Sequence, residues 1–122
     1  MKNLVLLLLF FGFSFISCKK NELGGKSTIK GVVKHHDKAI PYATVFIKFN
    51  AKEFPGKDTN LYNAKVKADA TGNYNIGCYK GEYYLYGYGF DNALVDPLVV
   101  GGTPVKIRQN EVVEKEIAVT ED

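Results

Sequence analysis

The most strongly β-prone run of this chain is Glu82-Tyr83-Tyr84-Leu85-Tyr86-Gly87-Tyr88-Gly89-Phe90. Tyrosine and phenylalanine are enriched in β-strands, and successive side chains of a strand point to opposite faces of its sheet. One face of this strand is therefore predicted to carry Tyr84, Tyr86, Tyr88 and Phe90. The run thus predicts a strand with one strongly aromatic face.

The chain beyond residue 28 repeats this period of two in shorter segments. Strand-like runs cover residues 29–34, 43–50, 64–68, 74–76, 99–100, 105–108 and 112–119. Turn residues separate them, and the Gly101-Gly102-Thr103-Pro104 run is predicted to break a strand. No segment of the mature chain has the 3.6-residue apolar period of a helix. The pattern predicts an all-β fold, a seven- to eight-stranded Greek-key β-sandwich over residues 28–120, which closes with a hairpin across Gln109-Asn110.

The first eighteen residues have the pattern of a bacterial lipoprotein signal peptide. Lys2 gives a positive start, and residues 4–16 form an apolar stretch that is shorter than the about 20 residues needed to span a bilayer. Phe15-Ile16-Ser17-Cys18 then resembles the lipobox of bacterial lipoproteins, although Phe15 stands where leucine is usual. We expect removal of residues 1–17 and acylation of Cys18 with chains such as palmitate. The alternative is an ordinary signal peptide that leaves Cys18 as a free thiol.

Acylation of Cys18 would attach the mature chain to a membrane. Burial of an acyl chain contributes about 0.8 kcal/mol per methylene, and two or more chains hold a protein stably. Residues 18–27 are polar and contain Gly24-Gly25, so they predict a flexible tether with Lys19-Lys20 in the headgroup region. No acidic residue directly follows Cys18, and by resemblance to lipoprotein sorting patterns this favours the outer membrane. The predicted location is therefore the cell envelope.

Composition limits the classes of partner and of cross-link. The 122 residues include 16 basic and 13 acidic side chains spread along the chain, for a net charge of +3. Nucleic-acid binding favours basic residues clustered on one face, so no nucleic-acid partner is expected. Acylation of Cys18 leaves Cys78 as a single cysteine, which is interpreted as a buried small apolar residue on a strand.

Four short motifs follow one another in the strand-forming region: Gly31-Val32-Val33, Ile40-Pro41-Tyr42-Ala43-Thr44-Val45, Asp69-Ala70-Thr71-Gly72-Asn73-Tyr74 and Gly81-Glu82-Tyr83-Tyr84-Leu85. Their order and spacing resemble the carboxypeptidase regulatory-like domain, a family of transthyretin-like (prealbumin-like) sandwiches. The resemblance implies a seven-stranded, two-sheet Greek-key sandwich with Tyr83 and Leu85 in its core. It also implies an accessory role that stabilises, spaces or binds, and does not catalyse.

The residues that catalysis or metal binding would need do not converge in the sequence. His35 and His36 are adjacent, and neighbouring residues of a strand point to opposite faces, so both are interpreted as solvated turn residues. Ser27, the only serine of the mature chain, lies in the predicted tether, which argues against a serine triad. Four acids are interpreted as solubilising groups at turns and strand ends: Asp69, Glu82, Asp91 and Asp96. The chain is predicted not to be an enzyme and to hold no metal or cofactor.

The aromatic face of the 82–90 run is the candidate contact surface. Tyr84, Tyr86, Tyr88 and Phe90 would form an outward ladder, and tyrosine is enriched at interfaces because it buries much area at little entropic cost. Alternatively, these rings only cover the sheet and pair across it. The predicted function is a cell-envelope lipoprotein whose non-catalytic sandwich acts as a protein-binding or assembly module. The alternative function is a carbohydrate- or small-ligand-binding accessory of a surface uptake system.

Overall fold

A computed structural model describes residues 19–122, so the predicted signal peptide over residues 1–17 and the predicted acylation at Cys18 lie outside the described residues. The described chain is all-β, with one short 3₁₀ turn at Thr59–Leu61. Its nine strands are β1 Leu23–His35, β2 Lys38–Ala39, β3 Thr44–Phe49, β4 Ala64–Lys67, β5 Asn73–Cys78, β6 Gly81–Phe90, β7 Leu98–Ile107, β8 Val112–Glu114 and β9 Ile117–Glu121. No helix in residues 19–122 is long and apolar enough to cross a membrane.

The strands form one curled mixed sheet in the order β2-β1-β9-β7-β6-β3-β4, and β5 and β8 also pair with β1. β3, β4, β6 and β7 pair antiparallel, and Tyr84 in the middle of them lies between Lys48 and Pro104. β1 changes partners along its length, from β5 and β8 in its middle to β2 and β9 at its end. The prediction of an all-β fold is confirmed.

Apolar side chains on the inner side of this sheet form one core. All of its fully buried members lie between Ile29 and Val119. Tyr83 and Leu85 are fully buried there, as the family resemblance implies. Cys78 is buried beside them as a free thiol, and burial raises the pKa of that thiol. The β6 strand therefore presents one side to the core and its aromatic side to the outer surface.

The first strand begins earlier than the sequence predicts. Residues 23–27, predicted to belong to the tether, are part of β1. Leu23 and Ser27 both lie opposite Cys78, so the strand contains an irregularity between them, and Gly24 adopts a φ of 100° there. Ser27 is buried and its hydroxyl donates a hydrogen bond to the carbonyl oxygen of Arg108 at 2.6 Å. The Gly24-Gly25 pair thus permits a kink in an ordered strand.

Two predictions about the C-terminal strands are wrong. Gly101-Gly102-Thr103-Pro104 does not break a strand but continues β7 opposite β6. Pro104 is tolerated because β9 pairs only with Val99 and Val100, so the other edge of β7 needs no N–H donor at residue 104. The chain turns at Gln109-Asn110, but no hairpin forms across that turn, since β8 pairs parallel to β1 and not with β7. β9 also pairs parallel to β1 and meets β7 only at Val99 and Val100.

Candidate functional site

The aromatic face of β6 is covered over half of its length. Phe54 and Tyr62, from the loop between β3 and β4, lie on Tyr84 and Tyr86 with ring centroids 5.5 to 5.9 Å apart. Only 9% of Tyr84 and 3% of Tyr86 is exposed. The open ladder predicted over four residues is therefore wrong for Tyr84 and Tyr86, because a loop buries both rings.

Contacts at both ends hold this loop on the sheet. The Tyr62 hydroxyl donates to the carbonyl oxygen of Gly56 at 2.8 Å, and the Phe49 N–H donates to the Asn63 side chain at 2.8 Å. Lys57 forms an ion pair with Asp122 near the end of the chain. Desolvation raises the pKa of Tyr62 above its usual range. The two aromatic residues of this mostly polar loop, Phe54 and Tyr62, were the sequence signal for its packing on the sheet.

The far half of the aromatic face lines a groove of about 680 Å³. Tyr88 is half-buried in it and makes an edge-to-face contact with Phe90, with ring centroids 6.0 Å apart. Phe90 is 54% exposed, and Tyr42 lines the same groove and is 60% exposed. The structure thus brings Tyr88 and Phe90 to an accessible site, together with Tyr42, which was not among the predicted site residues.

Close packing at the start of β3 and the end of β6 places these rings. Tyr88 pairs with Thr44 across the two strands. A methyl group on Gly89 would lie 2.7 Å from Ile40 Cγ2, so glycine lets the end of β6 approach the core. Tyr42 has a φ of 57°, which is uncommon for a bulky residue, and its N–H donates to the carbonyl oxygen of Asp69 at 2.9 Å. The turn at Asp69 therefore fixes the position of Tyr42.

A buried acid lies at the edge of this groove. Asp91 Oδ2 is 2.8 Å from His35 Nδ1, and Asp91 Oδ1 accepts a hydrogen bond from the Lys38 ammonium. Lys38 and then His35 hold the pKa of Asp91 well below its usual range. The interpretation of His35 as a solvated turn residue and of Asp91 as a solubilising acid is wrong, because both side chains are buried against each other.

This His35–Asp91 pair orders the loop over residues 91–97. The Ala93 N–H donates to Asp91 Oδ1 at 3.1 Å, and the Asp91 N–H donates to the carbonyl oxygen of Pro97 at 2.8 Å. His35 Nε2 has no hydrogen-bond partner in the part of the chain that the structure describes, and the nearest carboxylate oxygen, on Glu121, is 3.7 Å away. The other face of the imidazole lies beside His36, with ring centroids 4.4 Å apart. The His35–Asp91 pair therefore positions the loop beside the groove.

The remaining groove residues supply polar groups around the aromatic rings. Lys67, Thr44 and Asn92 line the groove with an ammonium, a hydroxyl and an amide. Lys67 has no carboxylate within 4.0 Å among residues 19–122, whereas Lys38 is engaged by Asp91. No group of three or more His, Cys, Asp or Glu side chains in the described chain is arranged to hold a metal ion. The groove combines exposed aromatic surface with hydrogen-bond donors, which suits binding.

Comparisons with known proteins give a structural likeness and no family. No family model matches this chain, and no curated protein matches it. Among solved structures, it is similar to a DUF3823 family protein from Parabacteroides merdae ATCC 43184, with a TM-score of 0.41 and 14% sequence identity. The match covers 75% of this chain and 45% of that chain, so this chain spans less than half of that protein.

Asp91→Asn is expected to lower the melting temperature at neutral pH and to weaken its dependence on acid pH. Because folding depresses the pKa of Asp91, the ionised carboxylate stabilises the fold above about pH 4, and this contribution is lost as the pH falls further. The melting temperature of wild type and variant, measured from pH 7 down through this range, checks this. Asp96→Asn, in the same loop but exposed, is the control. Parallel curves for wild type and Asp91→Asn would contradict the assignment.

Proposed function

We propose that this chain is a lipoprotein of the bacterial cell envelope, held in the outer membrane by acylated Cys18, whose domain is a non-catalytic module for binding a protein partner. The domain is proposed to be a transthyretin-like Greek-key β-sandwich of the carboxypeptidase regulatory-like type. The four sequence motifs support this family. They fall on β1, on the start of β3, on the turn into β5 and on β6.

One observation carries the binding role: exposed apolar side chains gather around the groove. Tyr42 and Phe90 line it, and Val95 is fully exposed in the adjacent loop over residues 91–97. These are three of the six large apolar side chains that are exposed in residues 19–122. Exposed aromatic residues at one place mark contact sites, and tyrosine is enriched among residues that dominate binding energy. This end of the domain is therefore the proposed protein-binding surface.

The test replaces the two exposed aromatic side chains of the groove, Tyr42 and Phe90, and leaves the core intact. Partners cross-linked to the wild-type chain in intact envelopes would be identified and purified, and their affinity measured against Tyr42→Ala/Phe90→Ala. Truncation of residues that dominate an interface costs about 2 kcal/mol or more, so we expect at least about 30-fold weaker binding. Leu61→Ala/Val112→Ala, which removes two exposed apolar side chains elsewhere, is the control. Unchanged affinity in Tyr42→Ala/Phe90→Ala would refute the proposed surface.

A carbohydrate or small ligand of a surface uptake system is the second candidate. The groove volume of about 680 Å³ supports it, because it falls in the range of small-molecule sites. Lys67 and Asn92 supply donors that hydroxyl-rich ligands require. Saturable binding on a glycan array that Tyr42→Ala abolishes, with no protein cross-linked at Phe90, would favour this candidate. A cross-linked protein without glycan binding would favour the first.

A further inference from the structure

Basic side chains gather at the end of the domain where the described chain begins. Lys20, Lys80, Lys106 and Arg108 line one recess, and Lys19, Lys26 and Lys80 line an adjacent one. They converge because the N-terminal segment contacts the β5–β6 turn: the Asn21 N–H donates to the carbonyl oxygen of Lys80 at 2.9 Å. We call this surface the basic end; it comprises Lys19, Lys20, Lys26, Lys80, Lys106 and Arg108.

Few carboxylates offset the charge of the basic end. All six basic side chains are exposed. Of these six side chains, only Lys19 has a carboxylate within 4.0 Å in residues 19–122, that of Glu22. Glu82, which also borders this surface, is paired with Lys52 at 3.7 Å. The Glu111 carboxylate accepts a hydrogen bond from the backbone N–H of Arg108 at 3.1 Å but forms no ion pair with its guanidinium. The basic end therefore presents five ammonium or guanidinium groups that form no ion pair in residues 19–122.

We propose that the basic end docks on the anionic phosphate headgroups of the membrane that carries the chain. The inference rests on the proposed acylation of Cys18, because Lys19 follows that residue directly and lies within the basic end. Tyr79 also lines it, with the Lys19 ammonium 5.8 Å from its ring centroid. Tyrosine suits a headgroup region because its ring is apolar and its hydroxyl is polar.

Docking in this way orients the proposed binding groove away from the bilayer. β6 begins with Gly81 at the basic end and finishes with Phe90 in the groove. A strand rises about 3.3 Å per residue, so ten residues separate the two ends by about 30 Å. β1 runs the same course, from Leu23 to His35 at the groove edge. The groove is then held about 30 Å from the headgroups, where an envelope partner can reach it.

The test measures vesicle binding without the lipid anchor. Residues 19–122, which contain all of the core residues described above, would be mixed with vesicles that contain phosphatidylglycerol and with vesicles of neutral phosphatidylcholine. The chain is compared with Lys80→Gln/Lys106→Gln. The matched control is Lys65→Gln/Lys67→Gln, which removes the same charge from two exposed and unpaired lysines of β4, away from the basic end.

We expect salt-sensitive binding to the anionic vesicles alone. Each lysine near an anionic surface raises the vesicle partition coefficient about fivefold. Lys80→Gln/Lys106→Gln should therefore lower this coefficient about 25-fold, and the control variant should lower it less than about threefold. Equal losses in both pairs, equal binding to neutral vesicles, or tighter binding to an oligonucleotide than to vesicles would each overturn the proposal. The assay uses neither Cys18 nor the groove, so its failure is distinct from a failure of the lipoprotein or binding proposals.

Discussion

Gly31→Ala should destabilise the fold by about 3 kcal/mol, which lowers the melting temperature by about 15 °C in a domain of this size. A methyl group on Gly31 would lie 2.0 Å from the carbonyl oxygen of Lys115, which is rigid backbone between β8 and β9. That segment is fixed to β1, since the Lys115 N–H donates to the carbonyl oxygen of Lys30 at 2.8 Å. Relief of the clash would separate β1 from its parallel partners. Urea and thermal unfolding followed by circular dichroism measure the effect.

Gly77→Ala is the matched control for this change. Gly77 also lies within a strand, on β5 beside β1, but the nearest atom to its methyl group would be 3.9 Å away. We expect a change within about 0.5 kcal/mol, because the surface at this position is open. Similar losses at Gly31 and Gly77 would show that strand glycines are intolerant in general and would count against the close approach of the β8–β9 segment.

Cys18→Ala should release the chain from the membrane. The two or more acyl chains proposed at Cys18 would make membrane attachment effectively stable, and alanine cannot accept them. Expression in a diderm bacterium, followed by membrane fractionation and intact-mass measurement, gives a direct comparison of wild type and variant. The wild type should sediment with membranes and have a mass that begins at residue 18 with acyl chains added. The variant should be soluble or keep its leader, and should carry no acyl mass.

Cys78→Ala separates the effect of acylation from that of losing a thiol. Cys78 is buried in the core, so its replacement should change stability slightly and leave the acyl mass and membrane fractionation as in the wild type. A wild-type chain that is soluble and unacylated would rule out the lipoprotein proposal. The vesicle experiment on the basic end would still stand as a separate test of the surface charge.

Local alternation predicted most strands of this fold. β6 runs from Gly81 to Phe90, one residue longer than the run read from sequence, and Tyr83 and Leu85 point into the core. The turn at Asp69 was also predictable, from its own turn-forming residues. Asp69 Oδ1 accepts hydrogen bonds from the Thr71 and Asn73 N–H groups, and Gly72 has a φ of 78°. Such features depend on neighbours in the chain, so a single sequence suffices to predict them.

The candidate site was predictable only in part. Tyr88 and Phe90 were selected because alternation places them on one face of the strand and the family resemblance implies that this face points outward, and they reach the groove. The burial of Tyr86 depends on Tyr62, which stacks on it from a loop at a ring-centroid distance of 5.5 Å. The burial of Asp91 depends on His35, which is 56 positions away. Neither the Tyr62–Tyr86 nor the His35–Asp91 contact can be predicted from the alternation of polar and apolar residues within a strand.

The amino-acid sequence alone determined that this chain is all-β, that Cys78 is a core residue and that β6 has one aromatic face. These follow from side-chain volume, polarity and the two-residue period of a strand. Tertiary structure alone decided that β8 and β9 pair parallel to β1, that a loop covers half of the aromatic face, and that dispersed lysines meet at one end of the domain. Those outcomes depend on which distant segments come together, and the free energy that selects them arises from close packing and long-range hydrogen bonds after the strands assemble.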